Sequence, residues 1–230
     1  MNRLFSLLVA LALGGAAAAV ALSDDPPKDA PPAVAPAKPA DAPAEPRRAP
    51  TAKERAKGIK EIRGAIETVG GTIGFQLEPN KCPLLCANFC NLVRKGYFDG
   101  RPWFEFSRVV RQAGSKGIAY TVPREFDPSL FFDRGGRIAM AKDRDASEGA
   151  FANGARFFIT VKNQERWNLD YPVFGNVTSG IDVLVALNEG DKITKITVEG
   201  DVDNLLKTFE TEVAKWDKAF EAAKKTGLLD

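Results

Sequence analysis

Histidine is absent from all 230 residues, which excludes every mechanism that uses an imidazole as base, proton shuttle or metal ligand. Cysteine is scarce: Cys82, Cys86 and Cys90 are the whole supply. Their i, i+4, i+8 spacing lines three thiols along one helical face, a poor tetrahedral set without His or a distant fourth Cys. Helical i, i+4 thiols also seldom meet disulfide geometry. No metal site is expected. Buried small side chains are the plain reading, a redox or intermolecular thiol the alternative. An excess of charge of one sign is missing too: 32 Lys plus Arg against 30 Asp plus Glu leaves a net +2. That argues against the phosphate-contacting surface of a dedicated nucleic-acid binder. What is plentiful is apolar: 44% hydrophobic residues, with 15 Phe and 3 Trp, are enough for a core.

The one long apolar run stands at the start. Met1-Asn2-Arg3 precedes Leu4 to Leu13, then an alanine stretch ends in Ala19-Val20-Ala21 before polar Ser23-Asp24-Asp25. A single positive charge, a short apolar segment and a small-x-small site are the parts of a secretory signal. Leu4 to Leu22 is also just long enough to span a bilayer. Residues 1–22 are therefore expected to be a signal peptide or an N-terminal anchor, and the protein to be exported, periplasmic or otherwise extracytoplasmic. Contact with a membrane is expected only through that segment if it stays uncleaved. Residues 23–50 follow as a linker; 24–50 hold 9 Pro and 8 Ala with no aromatic, so they cannot bury enough area to fold. Such chain tends to polyproline II at roughly 3.1 Å per residue, a reach on the order of 80 Å. Residues 51–63 then carry five cations against two acids and are expected to be a short basic helix.

From about residue 64 the pattern is that of short strands. Ile66 to Val69, Gly70-Gly71 and Thr72 to Leu77 read as a hairpin around a glycine turn. Pro83 opens a helix that keeps Leu85, Phe89 and Leu92 together and ends at Arg94-Lys95-Gly96. Strand-like runs follow at Phe104 to Val110, Gly136 to Ala141, Phe157 to Val161, Val173 to Val177 and Ile196 to Val198, with a helix across Ile181 to Leu187. Strands of this length with turns between them suggest a barrel or sandwich. In the tail, Leu205, Phe209, Val213, Trp216, Phe220 and Ala223 form one apolar stripe on a helix, expected to dock back on the domain, with a groove or dimer contact as the alternative.

Gly71-Thr-Ile-Gly-Phe-Gln-Leu77 with Asn88-Phe89-Cys-Asn-Leu92 resembles the opening strand and first helix of cyclophilin-type peptidyl-prolyl isomerases. Gly136-Arg-Ile-Ala-Met140-Ala141, Asn153-Gly154-Ala-Arg-Phe157-Phe158-Ile159-Thr160, Leu169-Asp170, Phe174-Gly175 and Gly190-Asp191-Lys-Ile193 come in that family's order. The resemblance covers about residues 64 to 200. It implies a mostly β fold, a closed eight-stranded antiparallel barrel with capping helices over residues 64–200, followed by a C-terminal amphipathic helix over 201–230. The implied activity is cis-trans isomerisation of X-Pro bonds in proline-containing client polypeptides, with no cofactor; the alternative is a weak or inactive peptide-binding module on the same barrel. Such chemistry suits a chain without histidine, because rotation about the imide bond breaks no covalent bond and needs no proton shuttle.

The resemblance assigns Arg108, in Phe106-Ser107-Arg108-Val109-Val110, as the electrostatic catalyst: a guanidinium is always charged and offers several fixed N–H groups. Phe106 would share its strand face, Gln112 would contact substrate, Met140, Ala141 and Phe158 would line the proline pocket, and Trp167 and Leu169 would stand on its rim. Only Val109, Val110 and Arg111 separate Arg108 from Gln112, where the family has a longer segment with an aromatic. A second register, counted forward from Asp99-Gly100, sets Trp103 and Glu105 in the Phe and Arg places and removes the cation. Arg156 stands where the family carries glutamine, and Tyr171-Pro172 where it carries histidine or a substitute.

Overall fold

The computed structural model describes residues 48–115, 120–142 and 151–229; the expected signal or anchor segment, and the linker up to residue 47, lie outside them. The expected helix over 51–63 shrinks to one turn, α1 (Ala52–Arg55), closed by a capping box between Thr51 and Glu54. Pairing to the neighbouring strand then takes over from Ile62.

The sheet grows from a hairpin of β1 (Ile62–Thr68) and β2 (Gly71–Leu77), paired Thr68 to Gly71 and Ile66 to Ile73. Gly71 already belongs to the strand, so the turn falls at Val69-Gly70, one residue earlier than the glycine pair suggests. After α2 (Pro83–Arg94) come β3 (Trp103–Phe106), β4 (Val110–Gly114), β5 (Thr121–Pro123), β6 (Arg137–Met140), β7 (Phe151–Asn153), β8 (Arg156–Thr160), β9 (Val173–Ser179), α3 (Ile181–Ala186) and β10 (Ile193–Gly200). Eight of the strands form one antiparallel sheet in the order β10-β1-β2-β9-β6-β8-β4-β3, while β5 and β7 pair separately. The sheet curls until its edges touch: Gly100 N–H donates to Ile193 O (2.7 Å), Ile193 N–H to Arg101 O (2.9 Å) and Trp103 N–H to Asp191 O (2.9 Å). This short seam joins the ends of the edge strands and not their lengths, so the expected closed barrel is only partly closed.

Helix α2 fills the end reached from Leu77. Pro83 opens it, and Gly96, at φ +64°, allows the chain to leave with Tyr97 N–H bonded back to Leu92 O (3.1 Å) and Gly96 N–H to Val93 O (2.9 Å). Phe89 is the hub of the interior, with Phe75, Phe98, Phe157 and Phe174 at ring separations of 5.9, 5.5, 5.3 and 5.4 Å. The three thiols belong to this packing. Cys82 Sγ donates to Val173 O (3.2 Å) and Cys86 Sγ to Phe174 O (3.6 Å), and burial pushes all three thiols far up, Cys90 to about 12. Thiols so fully protonated are poor nucleophiles.

The C-terminal helix is two helices, α4 (Val202–Thr208) and α5 (Glu210–Lys225). The break falls at Phe209, whose buried ring lies 4.4 Å beneath the Arg55 guanidinium. Arg55 also donates to Thr208 O (2.6 Å) and pairs with Glu212 (2.5 Å), so it satisfies a terminal carbonyl of α4 and anchors α5. The apolar stripe is spent inside the molecule: Leu205, Phe209, Trp216, Phe220 and Ala223 are buried, and Asn91 of α2 donates to Asp217 (2.6 Å).

Candidate active site

The strand expected over Phe104 to Val110 is broken by a turn. Ser107 Oγ accepts from Val109 N–H (3.1 Å) and Val110 N–H (3.2 Å), which folds the chain back after Phe106. A register shift between Trp103 and Glu105 also changes which side chains face outward. The resulting rows decide the site. Trp103, Ala113, Phe157 and Met140 are successive cross-strand partners, and so are Glu105, Gln112, Phe158 and Ala139. Cross-strand partners share a face. Phe157 meets Phe89, Phe98 and Trp103, so the first row points into the barrel and the second points out.

Several expectations change accordingly. Arg108 lies in the turn, exposed, three rows beyond the Glu105–Gln112–Phe158 row, or about 10 Å along the strands. The turn takes it off the strand that was to aim it, and the structure does not bring it to Phe158. Glu105 occupies the outward place instead, as in the second register. Phe106 pairs with Arg111 on the inward face and lies 4.6 Å beneath its guanidinium, which donates to Val185 O (2.9 Å) at the end of α3. Burial lowers the Arg111 pKa. Met140 is fully buried opposite Phe157 and so leaves the pocket. Ala141, just past β6, is buried and donates its N–H to Arg156 O (3.1 Å).

Gln112, Phe158 and Trp167 do come together. Phe158 is only 3% exposed. Its ring stacks on Phe132 (6.0 Å, 10°) and meets the edges of Trp167 (5.9 Å) and Tyr171 (5.3 Å). Phe132 N–H donates to Asn168 Oδ1 (2.8 Å) and Gln164 N–H to Phe132 O (2.8 Å), which laces the loop before β6 to the turn that carries Trp167. Leu169, on that same turn, is 68% exposed at φ +63°, a conformation costly for a side chain with a Cβ. Phe158 is thus a covered floor, and the open apolar surface is that of Trp167, Tyr171 and Leu169. Sequence reasoning passed over Phe132 because Leu130-Phe131-Phe132 is an apolar run in which nothing marks the third residue as the one turned inward. Tyr171 carried a signal, its place in the family pattern.

Charge is distributed unevenly around this cluster. Lys142 Nζ sits 4.9 Å over the Tyr171 ring and is ion-paired with Asp170; Arg124 donates to Asp170 O (3.0 Å). On the other side Gln112 Nε2 donates to Glu105 Oε2 (2.6 Å). Arg156, buried on β8 two residues before Phe158, shares its face.

The profile of the cyclophilin type peptidyl-prolyl cis-trans isomerase family matches residues 64–204. The chain belongs to this family. It is 30% identical over 141 residues to peptidyl-prolyl cis-trans isomerase B of Bacillus subtilis, covering 57% of this chain and 93% of that protein. Against the mouse peptidyl-prolyl cis-trans isomerase-like 1 the identity is 30% over 127 residues, 50% and 72% of the two chains. A crystal structure of a Cryptosporidium parvum cyclophilin, solved in the presence of the dipeptide Ala-Pro, has a TM-score of 0.53 at 26% identity, over 60% of this chain and 99% of that one. The cyclophilin family is one of peptidyl-prolyl isomerases, and that enzyme class is the chain's own. The barrier it lowers is roughly 18 to 20 kcal/mol, set by amide resonance.

Proposed function

We propose that this cyclophilin isomerises X-Pro bonds in client polypeptides outside the cytoplasm, binding them on the outer face of β8, β4 and β3. The observation that carries the reading is the aromatic cluster of Phe158, Trp167 and Tyr171 in line with Gln112. Its open rings offer an apolar seat for a proline, and a low-dielectric wall disfavours the charge-separated planar amide. The related Cryptosporidium protein studied with Ala-Pro supports a proline-directed groove. Export rests on the N-terminal segment, and the Pro/Ala linker would hold the barrel away from a membrane or leave it free after cleavage.

A second reading has a specific observation in its favour. With Glu105 on the row and Arg108 in the turn, β3 brings no cation to the amide, and a module that binds proline peptides with little acceleration follows. Exchange spectroscopy on an Ala-Pro peptide separates the two. Accelerated cis/trans exchange, reduced in Trp167→Ala, supports isomerisation; binding with exchange at the uncatalysed rate supports the second reading. Absence of any binding rejects both. Export is tested by fractionating cells that express the full chain: a product retained in the cytoplasm overturns it.

A further inference from the structure

We infer that Glu105 makes this groove selective for proline segments flanked by basic side chains, an inference that rests on the proline-directed reading above. Three features of the outer wall carry it. Glu105 shares a row with Gln112 and Phe158, so its carboxylate belongs to the face a peptide would cover. It is exposed at the residue level, yet Gln112, itself buried, holds Oε2 through a 2.6 Å hydrogen bond, so the carboxylate is positioned. That partner is a neutral amide and brings no opposite charge to the carboxylate. Among the described residues, Lys142 at the other side of the cluster is ion-paired with Asp170, whereas no ion pair engages Glu105.

The reach fits. Glu105 and Phe158 are two strands apart, about 10 Å between backbones. An extended peptide seated with its proline on the aromatic rings advances roughly 3.3 Å per residue, so a lysine or arginine one or two residues from the proline can bring its charge to the Glu105 carboxylate. A glutamate there would instead face a fixed like charge. This is specificity by attraction and repulsion at one point of the groove.

The test uses three capped six-residue peptides, each with one proline, flanked on both sides by Lys, by Ala or by Glu, titrated into the full chain at low salt with NMR detection. The expected affinity order is Lys over Ala over Glu, with steps of about two- to fivefold as for an exposed ion pair, shrinking as salt is raised. Glu105→Gln should level the series and Glu105→Lys should reverse it, both variants melting as cooperatively as the wild type. Equal affinities in the wild type, or an order that survives Glu105→Lys, overturn the inference while Ala-peptide binding leaves the proline-directed reading standing. Failure of all three peptides to bind overturns both.

Discussion

Strands β3, β4 and β8 carry two walls back to back, and the two obey different rules. Inward, Trp103, Ala113 and Phe157 expose no surface, and the Phe157 ring meets Phe89, Phe98 and Trp103 edge-on. Volume and shape decide what fits there. Outward, Glu105, Gln112 and Phe158 form a row whose apolar end is also packed but whose polar end is open. There an acid stands where the family resemblance leads one to expect a cation, just after the register shift between Trp103 and Glu105. The sheet constrains its inner face tightly and leaves the sign of charge on the outer face free to vary, since an exposed side chain there needs no complementary volume.

The harshest way to break the comparison is on the inner wall. Phe157→Ala removes a ring that touches three others and should destabilise the fold by about 3 to 5 kcal/mol, read from urea unfolding; a loss under about 1 kcal/mol would mean that the inner face tolerates a cavity as readily as a surface site. Next in size is the outer wall. Glu105→Arg places a guanidinium on the row beside Gln112 and Phe158, and catalysed exchange of an Ala-Pro peptide should rise by about 10²-fold, the worth of one preorganised donor at a developing charge. An unchanged rate would show that the row does not meet the amide.

A half-buried acid at the α2 end stands against exposed Glu105. Glu125 accepts from Leu85 N–H (2.9 Å) at the start of α2. Burial raises its pKa to about 7, opposed by the backbone N–H groups of Leu85 and Leu84 and by Lys53. Because the folded state holds this proton more tightly than the unfolded chain, its contribution to stability is complete below the ordinary carboxyl range and is lost as pH rises through about 7. Stability should therefore decline by about 3 kcal/mol between pH 4.5 and 8 from this group, and Glu125→Gln should flatten that part of the profile. Denaturant midpoints measured across the range decide it. The smallest effect is expected at Arg108. Exposed in its turn, Arg108→Ala should change stability by less than about 0.5 kcal/mol and the exchange rate by less than about twofold; a hundredfold loss would return it to the catalytic role.

Much of the fold was legible in the chain. Pro83 and Gly96 bracket α2 because each supplies a backbone geometry the helix ends need. The hairpin of β1 and β2 follows from alternation on both sides of a glycine turn, displaced by one residue. The tail stripe pointed to docking, and the buried residues agree, but the break at Phe209 depends on Arg55, some 150 residues away in sequence, and no local pattern carries it. In the site, Gln112, Phe158 and Trp167 were found through ordered motifs. Met140 came from the resemblance alone and faces Phe157 in the interior, whereas Arg108 and Phe106 were misplaced for one reason: a two-residue periodicity predicts a face only while the strand continues without a shift. The Ser107 turn and the register shift between Trp103 and Glu105 ended that condition.

By itself, then, the amino-acid sequence determined the absence of imidazole chemistry, the family, the helix ends and the apolar positions that must be covered, since these depend on residue type and near neighbours. Only the tertiary structure decided that Glu105 and not Arg108 stands beside Gln112, and that Phe132 covers Phe158. Those facts follow from how separate segments pair and pack across space, where a slip of one residue turns a side chain to the opposite wall.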